Sequence, residues 1–117
     1  VEIQVSESVE VSLEDPDVSM HLYRIAQEAV ANAVKHSAAG HILMDLRMTH
    51  DELTLIIEDD GSGIQMSTAT YTEGMGLRTM RYRAEALGAY LEVLPRLFGG
   101  TQVICRLPLQ SALNPNV

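Results

Sequence analysis

One predicted helix presents three polar side chains along a single face. Glu28, Asn32 and Lys35 follow one another at steps of four and three residues. At about 100° per residue, Glu28 and Asn32 lie about 40° apart around the helix. A carboxylate and an amide oxygen one turn apart can both face a hard cation such as Mg²⁺, and an ammonium group can meet a phosphate. The same spacing is also typical of a solvated helix face.

Two pairs of glycines follow further along the chain. Asp59 comes at the end of an apolar run and is followed by Gly61 and Gly63, whereas Gly74 and Gly76 begin a second helical pattern. Glycines beside Asp59 allow a ligand to approach the backbone closely, and a carboxylate can accept a hydrogen bond from the exocyclic amine of adenine. Free N–H groups at a helix N-terminus suit a phosphate. Taken singly, each pair is equally typical of an ordinary turn.

Better-known nucleotide and metal signatures do not occur in the sequence. Neither glycine pair has the third glycine of a dinucleotide fingerprint, and there is no G-x-x-x-x-G-K-[ST]. The four histidines form no zinc pattern with the single Cys105. Thr101 can hydrogen-bond a base through its hydroxyl, although threonine is common in strands for other reasons.

Hydrophobic periodicity predicts the elements that hold these residues. Asp15 and Pro16 suit the cap and first position of a helix that runs to about His36. A second helix begins near Leu77 and ends at Gly88. Alternating or apolar runs predict strands at residues 1–5, 9–13, 42–48, 53–57, 90–94 and 101–107.

The order of these elements predicts the fold class. Strands, helix, hairpin, loop, helix and hairpin follow one another, which favours an α+β fold. We expect a two-layer α/β sandwich with a mixed, mostly antiparallel sheet and helices on one face. Residues 1–110 form the predicted domain, residues 64–76 a mobile loop and residues 111–117 a disordered tail.

Composition narrows the classes of function. Hydrophobic residues make up 46% of the 117 residues, enough for a core, and the formal charge of −8 argues against nucleic-acid binding. A nucleotide bound here needs a divalent cation or backbone N–H groups to offset like charge. A lone Cys105 forms no internal disulfide and is expected in the core. No apolar run approaches the roughly 20 residues that span a bilayer.

The order of the motifs resembles the ATP-binding catalytic domain of sensor histidine kinases, in the superfamily of gyrase, the Hsp90 chaperones and MutL. The matching segments are residues 24–37, 58–63, 74–88 and 100–108, so the resemblance covers about residues 16–108. The match is best to the nitrate/nitrite-sensor and degradative-enzyme-sensor subfamily. The resemblance implies the Bergerat ATP-binding fold.

This resemblance implies a role for each motif. Glu28 is the implied catalytic residue, which orients the group that attacks the γ-phosphate, and Asn32 is the implied Mg²⁺ ligand. Asp59 is implied to accept the adenine amine, and the second glycine pair to be the hinge of a lid. The residues implied for ATP binding are Asn32, Lys35, His36, Asp59, Gly61, Gly63, Ile64, Gly74, Met75, Gly76, Leu77 and Thr101. Asp60 and Met75 depart from the family, which commonly has Asn and His at these positions.

The implied reaction transfers the γ-phosphoryl group of Mg·ATP to a histidine. The family carries that histidine on a dimerising helical hairpin that precedes this domain, and a response regulator acts downstream. We expect the isolated domain to be monomeric and cytoplasmic and to make no direct contact with a membrane, whether or not its parent is membrane-anchored. Two alternatives keep the fold: an anti-sigma-factor-type serine kinase, and a nucleotide-sensing module without transfer activity.

Overall fold

The computed structural model describes residues 2–7, 15–36, 39–61, 75–97 and 99–109. Within them lie five strands and two helices: β1 (Glu2–Glu7), α1 (Pro16–His36), β2 (His41–Met48), β3 (Glu52–Asp59), α2 (Met75–Leu87), β4 (Tyr90–Pro95) and β5 (Thr101–Pro108). The predicted strand at residues 9–13, residues 64–74 of the predicted loop and the predicted tail lie outside the described residues. The last two residues of that predicted loop, Met75 and Gly76, are instead the first residues of α2.

The strands form one mixed sheet in the order β1-β2-β3-β5-β4. β1 runs parallel to β2, whereas the other three neighbouring pairs are antiparallel. The predicted fold class is confirmed. β3 lies at the centre, so its last residue, Asp59, is flanked by Ile42 of β2 and Thr101 of β5.

Burial alternates along β3, because successive side chains in a strand point to opposite faces. Leu53, Leu55, Ile57 and Asp59 are buried, and the residues between them are only partly buried. The apolar members of this row pack against the buried stripe of α1, which comprises Leu22, Ile25, Ala29 and Ala33. Asp59 therefore lies on the face of the sheet that the helices cover.

Local signals set the ends of both helices. Asp15 Oδ1 accepts a hydrogen bond of 2.9 Å from the Asp17 backbone N–H, and α1 then begins at Pro16. α2 is followed by Gly88, whose φ of 74° is the left-handed conformation that glycine adopts readily. Neither helix in the described part of the chain is long and apolar enough to cross a bilayer.

Candidate functional site

The polar pair on α1 meets the first turn of α2. Glu28 and Asn32 are half-buried. A Cβ placed on Gly76 would overlap Glu28 Oε1 and lie 3.0 Å from Asn32 Oδ1 and 3.1 Å from Asn32 Nδ2. A side chain at this position would therefore have to displace the end of the Glu28 side chain. Two motifs that are distant in the sequence are thus brought together.

The contact between the helices continues along α1 away from Gly76. Arg83 Nη1 of α2 lies 3.2 Å from His21 Nδ1 of α1. Since an arginine only donates, the histidine nitrogen accepts in this arrangement. The contact holds α2 alongside α1, which keeps Gly76 against Glu28 and Asn32.

The other predicted ATP-binding residues on α1 and α2 do not lie together between the two helices. Lys35 is exposed in the last turn of α1, and Leu77 is directed into the hydrophobic core. The side chains of His36 and Met75, together with Gly63, Ile64 and Gly74, lie outside the described residues.

A second group of predicted residues lies at the end of β3. Asp59 is 6% exposed and Thr101, its partner in the β3–β5 register, is 5% exposed. Asp59 Oδ1 accepts a hydrogen bond of 2.9 Å from the Gly61 backbone N–H. The Thr101 hydroxyl is buried and has no hydrogen-bond partner among the described residues. A buried hydroxyl without a partner costs about 1–3 kcal/mol, so a polar ligand at this point would stabilise the site.

Sequence reasoning missed the residues that hold this strand end in place. Arg96, in the turn between β4 and β5, donates from Nη1 to the Asp59 carbonyl oxygen at 2.8 Å. Gly100 has a φ of 98°, and a Cβ there would overlap the same carbonyl oxygen. The adjacent glycines before Thr101 gave a visible signal, whereas the sequence around Arg96 gave none.

Asp60 ties the same strand end to the segment that follows α1. Its Oδ1 accepts hydrogen bonds from the backbone N–H groups of Gly40 at 2.8 Å and His41 at 2.9 Å. Its Oδ2 lies 2.8 Å from His41 Nδ1. The hydrogen bond from the His41 backbone, followed by that from the His41 ring, lowers the pKa of Asp60 from 3.8 to about 2. A position that departs from the family pattern therefore has a structural role.

The donors at the α1–α2 junction fit a magnesium ion that is held mainly by a nucleotide. No three His, Cys, Asp or Glu side chains converge within the described ranges. Mg²⁺ commonly uses one or two protein oxygens together with substrate phosphates. The Asn32 amide oxygen, with the Glu28 carboxylate one turn away, provides such a partial set.

Cys105 takes no part in either group. It is 1% exposed within the core, and burial raises the pKa of its thiol to about 11. The prediction of a core cysteine is confirmed.

Comparison with known proteins identifies the family. The model of the histidine kinase-, DNA gyrase B-, and HSP90-like ATPases matches residues 17–111. The chain belongs to this family. The sequence-based family assignment and the ATP-binding character that it implies are thereby confirmed.

Relatives within the family are sensor kinases. The sensor protein VraS of Staphylococcus epidermidis is 33% identical over 94 residues, which are 80% of this chain and 27% of that protein. The sensor histidine kinase LiaS of Bacillus subtilis is 31% identical over 105 residues, covering 86% of this chain and 29% of that protein. This chain thus spans less than a third of these relatives.

A solved structure agrees with the fold. The histidine kinase domain of the blue-light activated histidine kinase EL346 from Erythrobacter litoralis superposes with a TM-score of 0.71 at 26% identity. The match covers 93% of this chain and 52% of that domain.

Proposed function

We propose that this chain binds Mg·ATP as the catalytic domain of a sensor histidine kinase. Its reaction donates the γ-phosphoryl group to a histidine on a separate dimerisation domain. The observation that carries the proposal is the contact of Gly76 with Glu28 and Asn32. A glycine at the start of a helix, pressed against a carboxylate and an amide, combines free backbone N–H groups with hard oxygen donors.

The phosphate end of the nucleotide belongs at this junction. Asn32 would hold Mg²⁺ through its amide oxygen, and Glu28 would orient the group that attacks the γ-phosphate. When bound, the cation offsets the charge that develops on the phosphates, and phosphoryl transfer asks little of a protein beyond such positioning. The exposed Lys35 and the backbone N–H groups at the start of α2 supply the remaining positive charge, which a domain of net charge −8 needs.

The adenine end belongs at the end of β3. The buried Asp59 carboxylate accepts from the exocyclic amine, and the Thr101 hydroxyl gains the partner that it lacks within the described residues. Gly61 contributes its backbone N–H, which orients Asp59 Oδ1 at 2.9 Å. A site built to bond one purine edge in a buried setting discriminates strongly against a base lacking that donor.

The partners follow from the reaction. The phosphoacceptor is a histidine on the dimerisation domain of the parent kinase, and a response regulator receives the phosphoryl group in turn. The isolated domain works as a cytoplasmic monomer. The relatives named as a sensor protein and a sensor histidine kinase support the proposed partners.

Calorimetric titration with ATP, in the presence and absence of Mg²⁺, tests the site. We expect Asn32→Ala to remove most of the magnesium-dependent part of the affinity. Asp59→Asn should abolish adenine recognition, because it presents a donor where an acceptor is needed. Asp51→Asn is the matched control, an exposed acid just before β3, at the end opposite Asp59. Wild-type affinity in both site variants would contradict the proposal.

Joining the parent's helical hairpin to this chain tests the transfer step. We expect an acid-labile phosphohistidine on the hairpin after incubation with Mg·ATP. Phosphoserine on a protein substrate would instead indicate the serine kinase, and intact ATP binding without any transfer would indicate a nucleotide-sensing module.

A further inference from the structure

The turn between β4 and β5 carries a guanidinium group that reaches the backbone beside Asp59. Arg96 Nη1 donates to the Asp59 carbonyl oxygen at 2.8 Å. We propose that Arg96 is a positioning residue that sets the preference of the site for adenine by fixing the peptide unit between Asp59 and Asp60. This inference rests on the proposed adenine-binding role of Asp59.

That peptide unit lies just beyond the last registered pairs of β3. Asp59 is the final residue of β3 to pair with β5, opposite Thr101. Strand ends open readily unless other groups bond their backbone. Here the two polar groups of the peptide are both bonded: the carbonyl accepts from Arg96, and the Asp60 N–H donates to the His41 carbonyl at 3.3 Å. Fixing both groups fixes the plane of the peptide.

The turn is closed so that the arginine is held in place. The Arg96 N–H donates to the Gly100 carbonyl at 3.0 Å, and the Gly99 N–H donates back to the Arg96 carbonyl at 3.3 Å. Gly100 packs directly on the Asp59 carbonyl, where no Cβ would fit. The guanidinium therefore approaches the peptide from a backbone that is itself bonded.

Arg96 acts through Asp59 and does not need to touch the nucleotide. Arg96 Nε lies 3.9 Å from Glu58 Oε2, and Glu58 Oε1 accepts from Gln102 Nε2 at 2.6 Å. Since alternate strand residues point to opposite faces, Glu58 and Gln102 lie on the face opposite the buried Asp59 carboxylate. The guanidinium is anchored on that far face, so its effect on the base passes through the peptide that it holds.

Base discrimination follows from a carboxylate that cannot turn away. Adenine offers an amine where hypoxanthine offers a carbonyl oxygen, and a fixed carboxylate repels the latter. Without Arg96, the peptide gains freedom, Asp59 loses its fixed direction, and the penalty against the wrong base falls. A purely structural role would weaken all nucleotides alike.

The test measures the affinities of ADP and IDP for the wild type, Arg96→Met and Arg96→Lys. Methionine keeps an unbranched apolar stem but has no hydrogen-bond donor. We expect Arg96→Met to bind ADP about tenfold more weakly, as loss of a charge-assisted hydrogen bond implies, and to bind IDP nearly as the wild type does. Arg96→Lys should retain part of the wild-type ratio of ADP to IDP affinity. Arg47→Met is the matched control, since it removes an arginine paired with Asp45.

An unchanged ratio of ADP to IDP affinity in Arg96→Met, whether both affinities stay the same or fall by the same factor, would overturn the positioning role. Absence of ADP binding by the wild type would contradict the proposed function instead. Circular dichroism follows the folding of every variant. If Arg96→Met does not fold, Arg96→Lys carries the test with an expected narrowing of the ratio of ADP to IDP affinity by about threefold, which is about half of the tenfold change in free energy.

Discussion

The two ends of the candidate site are built differently. At the β3 end, Asp59 and Thr101 are nearly inaccessible, lie on paired strands, and are held by backbone hydrogen bonds. At the α1–α2 junction, Glu28 and Asn32 are half-buried on one helix and meet a second helix at a single glycine. We infer from this difference that the proposed site has a rigid end, where the base would bind, and an adjustable end, where the phosphates would bind.

The largest effect on stability is expected from a substitution beside Asp59, at the rigid end. Gly100→Ala should lower the free energy of unfolding by about 2–4 kcal/mol, because the new Cβ overlaps the Asp59 carbonyl and φ is positive. Urea denaturation measures the loss. Gly88→Ala is the control, with a positive φ but open space around it, and should cost only about 1–2 kcal/mol. Equal losses in the two variants would contradict a tight contact at Asp59.

The adjustable end should respond in activity more than in stability. In Gly76→Ala the Cβ displaces the flexible end of Glu28, and alanine also favours a helix by about 1 kcal/mol over glycine. We expect unfolding free energy close to that of the wild type. Phosphotransfer by the chain joined to its hairpin should fall about a hundredfold, as a misplaced catalytic group implies. A variant that folds and transfers normally would show that Gly76 does not shape the site.

The hydrogen bonds that Asp60 accepts from Gly40 and His41, beside the rigid end, should make the free energy of unfolding depend on pH. The folded-state pKa of Asp60 is about 2, below its ordinary 3.8, so its contribution is present above pH 3.8 and is lost as pH falls towards 2. Asp60→Asn should flatten this part of the curve of unfolding free energy against pH. Asp51→Asn, which changes an exposed acid at the other end of β3, is the control and should leave the curve unchanged. If unfolding free energy had the same pH dependence in Asp60→Asn and the wild type, the stabilising role of the Asp60 carboxylate would be ruled out.

The smallest effect concerns the core that both ends share. Burial raises the pKa of Cys105 to about 11, so little thiolate is present at pH 8 and the thiol is inaccessible. We expect an aromatic disulfide reagent to react slowly with the native protein and quickly in denaturant. Rapid reaction in the native state would show that the core opens at β5.

Elements with local signals were predictable from the sequence. The cap at Asp15, the proline at the first position and the apolar stripe predicted α1, and Gly88 predicted the end of α2. Periodicity placed β3 at residues 53–57, but pairing with both neighbours extends it through Asp59. This extension matters, because it makes the key carboxylate part of the sheet.

Contacts between distant segments were not predictable in the same way. The parallel pairing of β1 with β2 depends on the crossover through α1, and the reach of Arg96 to Asp59 depends on β5 lying beside β3. The polar pair and the glycines were identified from their types. Their meeting at Gly76 and the pairing of Asp59 with Thr101 arise only when the sheet and helices are packed.

Amide chemical-shift mapping during titration with Mg·ADP tests most directly whether the two ends form one nucleotide site. We predict that the N–H signals of Gly61 and Thr101 at the rigid end, and of Gly76 and Leu77 at the adjustable end, shift together with a single Kd. Shifts confined to one end, or two separate Kd values, would contradict the account.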